Sequence, residues 1–350
     1  MKRVTYISKF SYALSSLEIV AIGEISRRNN KRNEITGFLV CYSDFFFQVI
    51  EGNEVQVDNL YTKILTDPRH TDILCLKTET QISERLFPDW SMKTIDLNQN
   101  TFSLIEPIKT LLQTLTESHR IIEKYTQKSV IRMIQQGVNP LHIAPRMVEK
   151  IVFFGDLMAF STFTEKLPVQ EVVAMINEYF TICTQIIGAR GGEVTKFVGD
   201  CVMAYFDVDQ GDDAISASLE ILAALETLRK NAPPDSPLKM MYSGIGLSKG
   251  TVIEGNIGTA LKKEYTIIGD AVNVAERLES LTRDIPYFLA FSLEVKETLT
   301  EDKNIIEVGN FNPKGKEEIL SFYTVEDPVT YKGDKQLSEV IKSYLNNLNT

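Results

Sequence analysis

The sequence predicts an α+β protein made of two α/β sandwich domains joined by a helix. Three observations predict it. At 350 residues the chain exceeds the usual domain of about 150 residues. Short apolar runs of strand length alternate with helical stretches twice, once in each half. Between the two alternations lies a segment whose apolar residues recur at helical steps. Hydrophobic and charged contents of 43% and 24% are ordinary globular values, which excludes a disordered or fibrous chain.

In the first half, residues 4–8 read as a strand and 15–29 as a helix, with Ser15 and Glu18 at capping-box spacing fixing its start. Strands follow at 36–42 and 45–50, with Ser43 and Asp44 supplying a hairpin turn. A helix at 55–66 then precedes strands at 74–81 and 90–95. The order βαββαββ implies a sandwich with one helical layer. From Leu104 the apolar positions Leu104, Ile108, Leu111, Leu115, Ile122 and Tyr125 step by four and three, with Ser118 filling one break. This spacing fits a coiled-coil seam or an amphipathic helix packed on its own domain. Gly137 to Pro145, with two prolines, marks a boundary.

The second alternation begins with a strand at 151–154 and a helix after Pro168 that ends near Gly191 and Gly192. A hairpin at 193–206, a helix at 213–229, strands at 241–247 and 251–257, and a helix from Asp270 follow. Leu337, Val340, Ile341, Tyr344 and Leu345 repeat at helical spacing and predict a terminal packing helix. The expected divisions are 1–98, a connector at 99–148, 149–326, and a tail at 327–350.

The net charge of −10 argues against nucleic acid as a partner, since phosphate binding needs clustered Lys and Arg. An acidic chain still binds nucleotides through metal ions. No unbroken run of about 18 apolar residues occurs, and the first residues lack the apolar core of a secretory signal. The expectation is a cytoplasmic chain without a membrane partner. Cys41, Cys75, Cys183 and Cys201 are widely separated and share no ligand spacing with His70, His119 and His142, so neither zinc nor disulfides are expected.

Asp156 follows an apolar strand and Asp200 sits in a Gly-Asp turn. If their strands are neighbours, the two carboxylates converge and can hold one or two hard cations against substrate phosphates. Taken singly, Asp200 is also a good turn residue and Asp156 a good helix cap. The helix from Asp270 carries Asp270, Asn273 and Arg277 on one face and Ala271, Val274, Ala275 and Leu278 on another. A guanidinium and an amide on one polar face suit a ribose and a phosphate.

These residues resemble the class III nucleotide cyclase catalytic domain over about 180 positions, in four ordered blocks. The blocks are FFGDLMAFS from Phe153, GEVTKFVGD from Gly192, TIIGDAVNVAER from Thr266, and KGK from Lys314. The resemblance implies that Asp156 and Asp200, with the Leu157 carbonyl, bind two Mg²⁺ or Mn²⁺ ions. It implies that Lys196 and Thr266 read the base, Asn273 orients the ribose, Arg277 stabilises the transferring phosphoryl and Lys314 holds the terminal phosphates. A Lys donor and a Thr hydroxyl suit adenine, where guanine readers of this family place acidic residues. The implied reaction is ATP to cyclic AMP and diphosphate, in a homodimer because metal and base-reading residues face each other across subunits.

In the first half, Gln48 lies inside an apolar run, where a buried amide needs partners or costs about 1 to 3 kcal/mol. Tyr6 is in the first strand, and Trp90 and Met92 are read as sharing one face of the last strand. A phenol, an amide and an aromatic can surround a flavin ring; for each alone, core packing with one satisfied amide is the better account. Together, Tyr6, Asn30, Gln48, Trp90 and Met92, with residues 46–52, resemble the BLUF blue-light sensor domain, which uses FAD. The resemblance implies that Asn29, Asn30, Lys63, Asp67 and His70 line the flavin. It further implies that light draws an electron and a proton from Tyr6, that Gln48 then changes its hydrogen bonding, and that Met92 passes the change on. Both resemblances imply ferredoxin-like sandwiches, and the order of sensor, helix and cyclase resembles bacterial photoactivated adenylate cyclases. A guanylate cyclase, a catalytically decayed light-dependent binding module and a flavin redox enzyme are the competing readings. Thr266 opposes the first, the full set of four catalytic-block residues the second, and the lack of a second-cofactor fingerprint the third.

Overall fold

The computed structural model describes residues 1–97, 105–312, 319–333 and 337–348. The chain forms two compact units, Met1–Ile143 and Ala144–Thr350. Leu104 and Lys314, both named from sequence, lie outside the described residues.

In the first unit the order is β1 (Lys2–Phe10), α1 (Ser16–Arg32), β2 (Thr36–Tyr42), β3 (Phe45–Gly52), α2 (Glu54–Leu65), β4 (His70–Glu79), β5 (Lys93–Asp96), α3 (Ile105–Tyr125) and α4 (Lys128–Gln135). The sheet runs β4-β1-β3-β2-β5, a ferredoxin-like order with β5 added parallel to β2. The Ser15 and Glu18 capping box is formed in both directions, and Ser43 turns the β2–β3 hairpin with a left-handed φ of 53°. Val4 and Tyr6 of β1 meet Ile19, Val57, Tyr61 and Ile64 from the helices. Ile7 faces the other way, with Leu74 and Ile134 of α4.

Two sequence expectations are corrected here. The fourth strand begins at His70, where it pairs with Phe10, and stops before Gln81, whose φ of 57° leaves the ladder. The last strand begins only at Lys93, so Trp90 and Met92 precede it. Period-two alternation holds only in extended strand, and with a bend at Ser91, Trp90 is exposed while Met92 is buried. On α3, Leu111, Ile122 and Tyr125 of the predicted seam are exposed at 58, 44 and 88%.

The second unit comprises β6 (Arg146–Leu157), α5 (Phe160–Lys166), α6 (Val169–Ala189), β7 (Glu193–Val198), β8 (Cys201–Phe206), α7 (Gly211–Asn231), β9 (Ser243–Gly258), β10 (Lys263–Ile268), α8 (Asp270–Leu281), β11 (Leu289–Ser292), α9 (Leu293–Lys296), β12 (Ile305–Phe311), β13 (Leu320–Val325) and α10 (Leu337–Leu348). Its sheet runs β12-β13-β11-β9-β6-β8-β7, with β10 on β9. Both faces are covered, so the centre of β6, Ile151 to Phe154, reads as an unbroken apolar run. Ile151 and Phe153 pack with Met175, Tyr179, Cys183 and Ile187 of α6, while Val152 and Phe154 pack with Ala271 and Ala275 of α8.

The two strands expected at 241–257 are one. β9 pairs continuously with β6, from Arg146 opposite Glu254 to Leu157 opposite Ser243. Gly246 serves helix packing: a Cβ there would lie 2.2 Å from the Ala275 carbonyl oxygen and 2.3 Å from the Glu279 nitrogen. Helix α8 therefore rests directly on β9. In α10, Leu337, Ile341 and Leu345 are buried, but Val340 is 43% exposed, because it falls outside the i, i+4, i+8 stripe. Helix α6 is long and apolar enough for a membrane span, with mean hydropathy 1.3 over its best window. Polar residues such as Glu171, Asn177 and Glu178 interrupt its apolar sequence, and its Met175, Tyr179, Cys183 and Ile187 stripe is in the core.

Candidate active site

Alternation along β6 fixes where Asp156 emerges. Ile151, Phe153 and Leu157 face α6, so Asp156 follows Val152 and Phe154 onto the α8 side. Strand β8 lies beside β6, with Gly155 opposite Val202. Gly199, at φ +64°, makes the tight β7–β8 turn that sets Asp200 just before β8. The two carboxylates meet, and burial, with hydrogen bonding to Asp156, pushes Asp200 up to about 7. The Arg283 Nη2 donates to Asp156 Oδ2 at 2.5 Å. Its Nη1 donates to Glu279 Oε1 at 2.9 Å and Oε2 at 3.1 Å. Glu279 is itself pushed up to about 7 by burial, against the pull of that guanidinium.

On the neighbouring surface, Lys196 of β7 reaches β10, where its Nζ lies 3.0 Å from Glu264 Oε1. Thr266, two residues on, is 3% exposed, and its hydroxyl has no hydrogen-bond partner among the described residues. Asp270, Asn273 and Arg277 form the exposed face of α8, opposite Ala271, Val274, Ala275 and Leu278 in the core.

In the first unit, register places Tyr6 directly opposite Gln48. The Tyr6 hydroxyl donates to Gln48 Oε1, and Gln48 Nε2 points at Met92 Sδ, 3.7 Å away. All three are buried, and burial holds the Tyr6 phenol well above its usual range, so it keeps its proton. The His70 ring packs on Phe46 with centroids 4.7 Å apart, and its Nδ1 is 2.7 Å from Ser8 Oγ. Burial lowers His70 to about 4. Asp67 is paired with Arg69 and lowered to about 2, chiefly by that hydrogen bond. Asn30 is 2% exposed with its Nδ2 unpartnered among the described residues, whereas Asn29 and Lys63 are exposed. Trp90 stacks on Phe87, centroids 5.2 Å apart, and is 39% exposed.

Residues 144–326 match the family model described as the adenylate and guanylate cyclase catalytic domain. The chain belongs to this cyclase family. Residues 1–93 match the model described as sensors of blue light using FAD. A bacterial light-regulated adenylyl cyclase of known structure is 52% identical, covering 99% of this chain and 100% of its own, with a TM-score of 0.92. Photoactivated adenylate cyclase subunit beta of Euglena longa is 31% identical over 85% of the chain. The corresponding Euglena gracilis subunit is 30% identical over the same share. The chain spans about a third, 34%, of the length of these curated relatives.

The cyclase unit thus brings Asp156 to Asp200, and Lys196 to the strand that carries Thr266. The side chains of Asn273 and Arg277 make no hydrogen bond among the described residues. Sequence reasoning did not single out Arg283 or Glu264. Arg283 had one signal, its i, i+4 spacing from Glu279. In the sensor unit it also passed over Glu51, which is fully buried and accepts from Arg3 Nε at 2.8 Å, Leu86 N at 3.0 Å and Phe87 N at 2.6 Å. That carboxylate anchors the segment leading to Trp90 and Met92.

Proposed function

We propose that the chain is a blue-light-regulated adenylate cyclase that converts ATP to cyclic AMP and diphosphate as a homodimer. The observation that carries this reading is the convergence of Asp156 and Asp200 at adjoining strand ends, in a chain whose other unit joins Tyr6, Gln48 and Met92.

The carboxylate pair fits a hard divalent cation. Among the described residues no cluster of three or more His, Cys, Asp or Glu side chains forms a closed metal cage. Mg²⁺ is commonly held by one or two carboxylates, with waters and substrate phosphates completing its shell. Asp156 and Asp200, with the Leu157 carbonyl, would hold two such ions. When bound, these ions lower the pKa of the ribose 3′-hydroxyl and neutralise phosphate charge. Arg283 offsets the charge of Asp156 beforehand.

Lys196 donates to a ring nitrogen of adenine and the Thr266 hydroxyl accepts from its amine, which gives the orphaned Thr266 oxygen a partner. Asn273 orients the ribose, and Arg277 meets the negative charge that develops as the 3′-oxygen attacks the α-phosphate. Lys314 holds the departing diphosphate.

The buried, unpartnered Asn30 amide and the Tyr6–Gln48 pair fit a flavin, and with Asn29, Lys63, Asp67, His70, Trp90 and Met92 they would line an FAD. When bound, FAD supplies absorption of blue light. Tyr6 holds the transferable proton, and Gln48, bonded on both sides, turns a change at Tyr6 into a change at Met92. The exposed apolar residues of α3 support pairing of this helix between two copies, through which light shifts an equilibrium between less and more closed cyclase dimers.

The test is to follow nucleotide products from purified protein with ATP and Mg²⁺ in darkness and under blue light, with Asp200→Ala alongside. Light-dependent cyclic AMP is expected, reduced at least about a thousandfold in the variant. Cyclic GMP made from GTP in preference would replace adenylate by guanylate, and no product under either condition would leave only a light-dependent binding module.

A further inference from the structure

We infer that Lys332 is a positioning residue for the catalytic metal site: its ammonium holds the end of α8 and, through that end, holds Arg283 on Asp156. The inference rests on the adenylate cyclase reading. It extends that reading to a residue beyond the cyclase family match, which stops at residue 326.

Helix α8 can end beside Asp156 because the β9 residue opposite Asp156 is Gly244. A Cβ there would lie 2.0 Å from Thr282 Oγ1 and 2.9 Å from Glu279 Oε1. The end of the helix is thereby laid against the strands beside Asp156, and Arg283, one residue past the Thr282 cap, pairs with both Asp156 and Glu279. The carbonyls of Glu279, Ser280 and Leu281 accept from the amides of Thr282, Arg283 and Asp284. Those of Thr282 and Arg283 come next, and both accept from Lys332 Nζ, at 2.5 and 3.2 Å.

The lysine is itself held in place. Its amide donates to the Pro286 carbonyl at 2.9 Å, and the Phe288 amide donates to the Thr330 carbonyl at 2.8 Å. Tyr331 bridges Tyr287 between them. Residues 330–332 thus run as a short antiparallel clasp along the loop after α8. Thr330 is fully buried, and burial lowers the Lys332 ammonium to about 8. A cation at a helix C-terminus is favoured by the helix dipole and by the last carbonyls. The consequence falls on Arg283, whose side chain starts from the capped backbone. Glu279 offsets the charge of the guanidinium, so what Arg283 adds at Asp156 is direction: it takes Oδ2 and fixes the carboxylate. Hydrogen bonds that orient a metal-ligating carboxylate are worth about 10-fold to 100-fold in metal affinity or activity.

The test is Mn²⁺ binding to the full-length protein under saturating blue light, followed by electron paramagnetic resonance with 3′-deoxy-ATP, which lacks the attacking hydroxyl. Wild type, Lys332→Met, Lys332→Arg, Arg283→Ala and Lys332→Met with Arg283→Ala are compared, and cyclic AMP formation from ATP is titrated with Mn²⁺ alongside. Methionine keeps the apolar stem and removes the donors. Lys332→Met is expected to weaken Mn²⁺ binding about threefold to tenfold, since it loosens Arg283 without deleting it. The Mn²⁺ midpoint of activity should move equally, with kcat at saturating Mn²⁺ within about a factor of two of wild type. Lys332→Arg, which still offers donors to both carbonyls, should recover most of the loss. In the Arg283→Ala background the Lys332 change should add nothing, since its effect passes through the guanidinium. Unchanged or tighter Mn²⁺ binding, a fall in kcat without a shifted midpoint, no recovery in Lys332→Arg, or an undiminished effect without Arg283 overturns the inference. Melting temperature reports the fold of each variant; if Lys332→Met does not fold, Lys332→Gln takes its place and the same outcomes decide. A wild type that makes no cyclic AMP sinks the adenylate reading itself. An active wild type with Mn²⁺ binding indifferent to Lys332→Met sinks this inference alone.

Discussion

The sensor and cyclase units solve the same packing problem with different polar interiors. In the sensor, one face of a five-stranded sheet holds a phenol, an amide and a thioether bonded in series, Tyr6 to Gln48 to Met92. None carries a charge. In the cyclase, a sheet covered on both sides carries a carboxylate pair at its strand ends, compensated by a single guanidinium from Arg283. A series of neutral hydrogen bonds is satisfied but easily rewired, because the phenol and the amide each offer both a donor and an acceptor. A crowded charge cluster is electrostatically unsatisfied, and its shifted Asp200 favours a cation over rearrangement. The first arrangement suits a switch and the second a binding site.

This contrast breaks most sharply where the two units must communicate. Replacing Leu111 and Leu115 of α3 by glycine costs about 1 kcal/mol of helix stability per site and removes two positions of the apolar stripe. The ratio of cyclic AMP production in light to that in darkness should fall to about one, with the flavin spectrum intact. Light activation equal to wild type would show that α3 does not carry the signal.

A smaller effect, confined to the cyclase, is expected from Gly246→Ala. The new Cβ would meet backbone atoms of α8 at 2.2 and 2.3 Å, so the helix carrying Asn273 and Arg277 must lift from β9. Overpacking of this kind costs about 1 to 3 kcal/mol or more. Thermal unfolding should show the cyclase transition lowered and cyclase activity reduced, while the light-induced absorbance change of the sensor stays the same. A parallel loss in both units would mean that they unfold as one.

The smallest effect is on the sensor alone. His70 is held neutral by burial, down to about 4, whereas in the unfolded chain it takes up a proton near pH 6.5. Its contribution is present above about pH 6.5 and is lost as pH falls from there toward 4, at less than about 1.4 kcal/mol per pH unit. Retention of flavin absorbance on heating should decline over that window, and His70→Asn should flatten the decline. A slope unchanged in the variant would assign the acid sensitivity elsewhere.

Much of this was legible in the chain. The Ser15 cap, the Ser43 turn, the start of α8 at Asp270 and the division of that helix into an apolar and a polar face all follow from signals within a few residues. Sequence-level pattern also placed Asp156 and Asp200 at strand ends. It misplaced Trp90 and Met92 because an anchored bend and a strand end look alike when the anchor, Glu51, lies 35 residues from the Leu86 amide it holds. It split β9, whose single ladder with β6 runs from Ser243 to Glu254 and is fixed by that long-range pairing.

Local periodicity and capping, which act over one or two turns, let the sequence by itself place α1, α2, α6 and α7 and the β2–β3 and β7–β8 hairpins, but not the bounds of β4, β5 or β9. Sheet register decided the rest. Only the pairing of β6 with β8 brings Asp156 to Asp200, only the packing of α8 on β9 brings Arg283 to a carboxylate 127 positions away, and only the approach of β7 to β10 joins Lys196 to Glu264. Such contacts depend on long-range burial and strand alignment, which no short stretch of sequence encodes.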